Sequence, residues 1–229
     1  MRIVLTGLLI PLLCGAADMG ALGKLRDRQD RAGLEKTAAA LQADATKAGN
    51  DANLFYDAAI AWSYLAEVAY EVRDKPASQR AAETGVALAE KAVAINGRNA
   101  DYYRVLGTLC GQVIPANPIM GFMSYGKRAK EALDKAIELD PKSPMAHVAH
   151  GVGYYYLPTN MGGGPENAMK DYRQAIALDP KCAEAYLWLG IALAKEHQNA
   201  QAREAFSKSL QFDPDRLWAK QQLDKTPAQ

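Results

Sequence analysis

Residues 202–214 read AREAFSKSLQFDP, and the same phrase stands twice upstream, as AKEALDKAIELDP at 129–141 and AMKDYRQAIALDP at 168–180. The closing prolines Pro180 and Pro214 are 34 residues apart, and Pro141 and Pro180 are 39 apart, the same period with an insertion of five. One period is the length of a helical hairpin, so the repeat decides the architecture before any single residue does. Each phrase opens on an alanine (Ala129, Ala168, Ala202), places Leu133, Tyr172 or Phe206 four residues on, and Ala136, Ala175 or Ser209 three after that. Offsets of four and three put these residues on one helix face. The Asp-Pro that follows stops the helix, because proline restricts the residue before it and cannot continue the turn.

A second helix precedes each of these, with a glycine at its centre: Gly107 in YYRVLGTLC, Gly151 in HVAHGVGYY and Gly190 in YLWLGIALA. Glycine inside a helix costs roughly 1 kcal/mol relative to alanine, so its return at one place predicts a close helix contact there. The unit is then an antiparallel hairpin stacked on the next.

These residues resemble the tetratricopeptide repeat family. The copy from Ala183 to Pro214 matches at Tyr186, Leu189, Gly190, Ala202, Phe206 and Pro214, with Leu193 and Ser209 departing from the pattern. The copy ending at Pro180 matches at Gly151, Tyr154, Ala168, Tyr172, Ala175 and Pro180, with His150 where leucine is usual. The copy from Ala100 to Pro141 matches at Tyr103, Leu106, Gly107, Ala129, Ala136 and Pro141, and a degraded one closes on Ala92, Ile95 and Gly97. The stretch GKRAKEALDKAIELDPKSPMAHVAHGVGYYYLPTNMGGGPENAMKDYRQAI also resembles a narrower group, the exported T-component of tripartite ATP-independent periplasmic transporters and the regulator of microtubule dynamics family. That resemblance implies a periplasmic helical protein, oligomeric or monomeric, that assists ligand uptake. The fold implied is all-α, a right-handed superhelix of ten or eleven helices in stacked hairpins.

The expected organisation is a signal peptide at 1–17 and a single solenoid at 18–229. Within the solenoid lie degenerate N-terminal helices at 24–97, clearer repeats at 100–141, 144–180 and 183–214, and a covering helix at 215–225. Arg2, the apolar run IVLTGLLIPLL and the small residues Cys14, Gly15, Ala16 and Ala17 form the leader pattern. The expectation is export across an inner membrane to the periplasm, with lipidation at Cys14 as the alternative. Lys24 to Gly49 reads as one opening helix, Asn50 and Asp51 as a break and cap, and LFYDAAIAWSYLAEVAYEV as a long helix apolar on several faces. Insertions at 113–123 and 157–167 interrupt the repeats. Gly162 to Gly164 predicts a tight turn and Pro165 a helix start.

Apolar residues make up 49% of the chain and the net charge is +1. Such a balance supplies a core and gives no electrostatic reason to expect nucleic acid as a partner. Cys110 and Cys182 lie about two hairpins apart, beyond disulfide reach. His147 and His150 share a helix face, but no third ligand has suitable spacing, so they read as packing and hydrogen-bonding residues, and His197 as a solvated turn residue. No nucleophile elbow, phosphate loop or zinc motif is present, so no catalytic residue, metal or cofactor is assigned.

By position in the family, the first helix of each hairpin lines the concave face. Here it presents Arg104 and Thr108, then Val148, Val152 and Tyr155, then Leu187, Trp188 and Ile191. This lining is mostly apolar and lacks the lysines and asparagines of a carboxylate clamp. An apolar groove must be covered by an amphipathic protein or peptide partner, a hydrophobic small ligand, another copy of the chain, or its own insertions. The expected function is an exported, non-enzymatic protein-interaction module, with a transport accessory for a small hydrophobic ligand as the alternative.

Overall fold

The computed structural model describes residues 18–228, and all of its regular structure is helical. The leader at 1–17, with Cys14, lies outside the described residues. The chain opens on α1 (Met19–Asp27) and α2 (Arg31–Ala48), followed by the longer α3 (Ala52–Glu71) and α4 (Lys75–Ile95). Then come α5 (Ala100–Val113), the single turn α6 (Pro118–Gly121), α7 (Lys127–Leu139), α8 (Pro144–Tyr156), α9 (Pro165–Leu178), α10 (Ala183–Lys195), α11 (Asn199–Phe212) and α12 (Leu217–Lys225). No described helix is long and apolar enough to cross a membrane.

Four hairpins pair α3 with α4, α5 with α7, α8 with α9 and α10 with α11, and each second helix packs on the first helix of the next hairpin. The first helices α3, α5, α8 and α10 also touch in succession, so they share one side of the stack. The starts of these helices follow local chemistry. Asp18, Asp30, Asp51, Asp74, Asn99 and Ser143 each turn a side-chain oxygen onto a free backbone N–H of the first turn. One such cap is worth about 1 kcal/mol. The stops are the Asp-Pro steps, where Asp140, Asp179 and Asp213 turn extended at φ −141°, −136° and −135°.

The recurring residues meet each other. A Cβ on Gly107 would lie 2.6 Å from Leu133, on Gly151 2.6 Å from Tyr172, and on Gly190 2.6 Å from Phe206. Every repeat therefore receives the large residue of its second helix in the notch left by the glycine of its first. Tyr172 and Phe206 are fully buried there, as are Ala136, Ala175 and Ser209 behind them. This contact fixes the hairpin's register.

The opening segment differs from the single helix expected over Lys24–Gly49. It breaks between α1 and α2, where Gln29 adopts φ +55° and Asp30 caps the new helix. The break folds α1 back so that it packs on α3 and its C-terminal end reaches α10 at the far end of the stack. The insertions behave as two different objects. After α5, residues 114–126 continue as a 3-10 turn, α6 and a π-type turn leading straight into α7, leaving Ile119, Met120 and Met123 exposed. After α8, Gly162 and Gly164 take φ +84° and +103°, and Pro165 is the first residue of α9. Gly163 has no room for a side chain: its Cβ would lie 2.1 Å from the Leu157 carbonyl oxygen.

Candidate functional site

The side shared by α3, α5, α8 and α10 is the candidate site. The apolar residues assigned to it divide. Val148 and Leu187 are buried in the core between hairpins, with Leu187 entirely inaccessible, so neither offers surface to a partner. They face inward because the stack packs a first helix against both its own partner and the preceding hairpin. Thr108, Val152 and Ile191 are half-buried. Arg104 is also half-buried, held by Asp101 (2.7 Å) and by the Tyr56 hydroxyl of α3 (3.4 Å).

Tyr155 and Trp188 do come together, with ring centres 6.0 Å apart, and Lys195 sits 4.4 Å over the Tyr155 ring. The group extends to Tyr156, whose hydroxyl donates to that of Tyr70 on α3 (3.2 Å), and to Trp218 of α12, 5.4 Å from Trp188. Edge-to-face pairs at these separations are worth about 0.5–1.5 kcal/mol each beyond burial. Burial pushes the Tyr155 and Tyr156 hydroxyls above their ordinary range, so both stay neutral donors.

A charged cluster sits beside the aromatic one, and no apolar pattern pointed to it. Arg216, the residue before α12, is 1% exposed and donates through Nη2 to Glu67 (2.5 Å) and Glu71 (2.6 Å) of α3, 145 or more residues away in sequence. Arg26, at the end of α1, stacks 4.9 Å over the Tyr64 ring and lies 3.7 Å from Glu184 of α10 and 3.9 Å from Asp213. Its Nε and Nη2 donate to Asp27 (2.8 and 2.7 Å). At the rim, Arg28 pairs with Asp215 (3.1 Å), and Gln29 bridges Glu71 and Gln221. The two ends of the stack are thus tied together across the concave side. The contacts that close this side come from the chain's own ends, an arrangement outside the alternatives drawn from sequence.

Burial pushes the Glu67 carboxyl up to about 8, against the opposing pull of Arg216 and Arg26, and raises Glu71 for the same reason. One sequence signal was available for this cluster. Glu67 and Glu71 are four apart on a largely apolar helix whose other charge is Asp57, and like charges at that spacing repel unless a cation lies between them.

The histidines form a separate staple. His147 and His150 of α8 both bond Asp171 of α9 through Nδ1 (3.3 and 2.8 Å), and His150 Nε2 also reaches Asp134 of α7 (3.3 Å). Burial lowers the His150 imidazole's proton affinity, but Asp171 and then Asp134 outweigh it and hold the ring above its ordinary value. Among the described residues no group of three or more His, Cys, Asp or Glu side chains is arranged to hold a metal ion. His197 is an exposed turn residue at φ +58°. Cys110 and Cys182 are separate buried thiols.

The family model of regulator of microtubule dynamics protein 1-3 matches residues 22–163, and two tetratricopeptide repeat models match 165–196 and 183–216. The small glutamine-rich tetratricopeptide repeat-containing protein 2 of Mycosarcoma maydis is 36% identical over 98 residues, 43% of this chain and 26% of that protein. Regulator of microtubule dynamics protein 3 of Bos taurus is 25% identical over 180 residues, 72% of this chain and 38% of that one. The chain therefore spans well under half the length of these curated relatives. Among solved structures, a thermophilic tetratricopeptide protein of Thermus thermophilus, TTC0263, superposes with a TM-score of 0.59 at 16% identity, covering 89% of this chain and 98% of that one. The HusA haemophore of Porphyromonas gingivalis gives 0.58 at 18% identity, over 78% and 96%. These likenesses show the fold. By the model that covers most of its length, the chain belongs to the regulator of microtubule dynamics protein 1-3 family, with tetratricopeptide repeats completing its second half.

Proposed function

We propose that this chain is an exported, non-enzymatic interaction module, acting in the periplasm, that holds a protein or peptide segment on the side lined by α3, α5, α8 and α10. The observation that carries this reading is the exposed Tyr156 and half-buried Tyr155, backed by the buried Trp188 and set beside the arginine–glutamate cluster on one side of the stack. Aromatic rings and arginine are the groups that dominate binding energy at protein interfaces. The apolar leader pattern of residues 3–13 supports export. A photo-cross-linking residue at Tyr155 should trap a discrete partner in intact cells, and the same residue at Lys170 on α9 should not. Equal trapping at both positions sinks the reading.

A second reading is favoured by the same aromatic group: a transport accessory whose half-buried Tyr155 and Ile191 hold a small hydrophobic ligand. Native mass spectrometry of the purified protein distinguishes it by a retained mass, and reports any homo-oligomer in the same spectrum.

A further inference from the structure

The concave side gathers acidic side chains around two arginines, and one of those arginines comes from a short helix docked onto it. Glu67, Glu71, Glu184, Asp27 and Asp213 converge there on two guanidinium groups, those of Arg26 and Arg216. Arg26 rides on α1, a nine-residue helix set off from α2 by the break at Gln29. Its guanidinium lies over Tyr64 with Glu184 at its edge, the arrangement that a planar cation on an aromatic face favours. Arg216 adds an independent observation. Although 1% exposed, its Nε and Nη1 have no hydrogen-bond partner, since Asp27 and Glu184 stand 3.9 and 3.8 Å from Nε. A buried donor left unmet keeps its desolvation cost, so the site is short of acceptors placed to meet it.

We propose that this face is a docking site for an arginine-bearing peptide segment, and that the end of α1 occupies it as a built-in ligand which the partner displaces. The incoming arginine takes the place of Arg26 between Tyr64 and Glu184, and the peptide's carbonyl groups supply the acceptors that Arg216 lacks. Charge complementarity selects this partner over an acidic one: when α1 leaves, Asp27 goes with Arg26, and the carboxyl groups of Glu67, Glu71, Glu184 and Asp213 stay behind with Arg216, so an entering cation replaces the one that left and an entering anion meets acidic side chains. Displacing α1 also loosens the Arg28–Asp215 and Gln29–Gln221 contacts, so binding and opening of the stack's ends are one event. The inference rests on the reading of this side as the partner-binding surface.

The test is chemical rescue in the full chain. Arg26→Ala should lower Tm, and ethylguanidinium should bind the variant and restore about 3 °C at ten times its Kd. The wild type should gain nothing, and ethylammonium, which lacks the planar fork, should restore little. Failure of ethylguanidinium to bind the variant preferentially overturns the inference, whatever is trapped at Tyr155 in cells. If Arg26→Ala does not fold, a synthetic peptide of residues 22–30 is titrated into the wild type while hydrogen exchange of α1 is followed. Faster exchange in α1, absent with a peptide carrying alanine in place of its Arg26, supports the inference. Unchanged exchange up to millimolar peptide overturns it.

Discussion

Replacing Arg216 by methionine removes the guanidinium that ties α3 to the C-terminal end of the stack and leaves Glu71, whose side chain is fully buried, beside Glu67 with no cation in hydrogen-bond contact. Breaking a buried pair from one side costs about 3–5 kcal/mol, because the stranded charge keeps its desolvation cost. At about 2–4 °C per kcal/mol for a chain of this size, Arg216→Met should lower Tm by roughly 10 °C near pH 8. The loss should shrink to about a third of that near pH 5. The reason is protonation: burial already holds Glu67 up at about 8 and Glu71 above its ordinary value, and removing Arg216 raises both further, so in acid the stranded groups become neutral. In the wild type the sign is the same. A carboxyl raised on folding contributes stability that is whole below its unfolded value of 4.5 and is lost as the pH climbs through about 8. Differential scanning calorimetry of wild type and variant at the two pH values decides the matter. An equal Tm loss at pH 5 and pH 8 refutes the assignment of buried, proton-accepting carboxylates to this cluster.

Other outcomes follow from single contacts. Gly190→Ala should destabilise by about 1–2 kcal/mol, since overpacking against Phe206 at 2.6 Å outweighs the helix-propensity gain, whereas Gly111→Ala, with nothing within 4 Å, should stabilise by up to about 1 kcal/mol; thermal melts check both. Tyr172→Phe should be neutral or slightly stabilising, because the buried hydroxyl it removes has no hydrogen-bond partner; a loss above about 1 kcal/mol in urea melts contradicts that. His150→Gln should flatten the decline of Tm with pH above neutrality, since the raised imidazole contributes stability that is full below its unfolded value near 6.5 and lost above its folded one.

The repeats were legible because their information is local. Gly190 recurs at Gly151 and Gly107, each in the middle of a first helix, so the repeat predicts a close contact there, and the structure fills it with Phe206, Tyr172 and Leu133. The stop at each Asp-Pro and the cap at Asp51 are equally local. The break inside Lys24–Gly49 was not legible, because Arg28-Gln29-Asp30 carries no glycine or proline and the positive φ falls on Gln29. The site was read only in part. Tyr155 stays half-buried at the position helix register gives it, whereas Val148, Leu187 and Trp188 turn into the core, Trp188 meeting Tyr155 from the inside. The arginine cluster depends on Arg216 meeting Glu71 across 145 residues, a contact set by the accumulated curvature of every repeat between them and by no motif in either segment.

The claim on which the rest depends is that the two ends of the stack meet across the concave side. Cysteines at positions 28 and 215, carrying spin labels, measure it by pulsed electron resonance at the cost of one exposed ion pair of little energetic weight. The native Cys110 and Cys182 are buried, and burial raises both thiols, so they label slowly. A single short, narrow distance is the predicted result. A long or broad distribution would mean that the stack is open, and would contradict the closed concave site together with the docked α1.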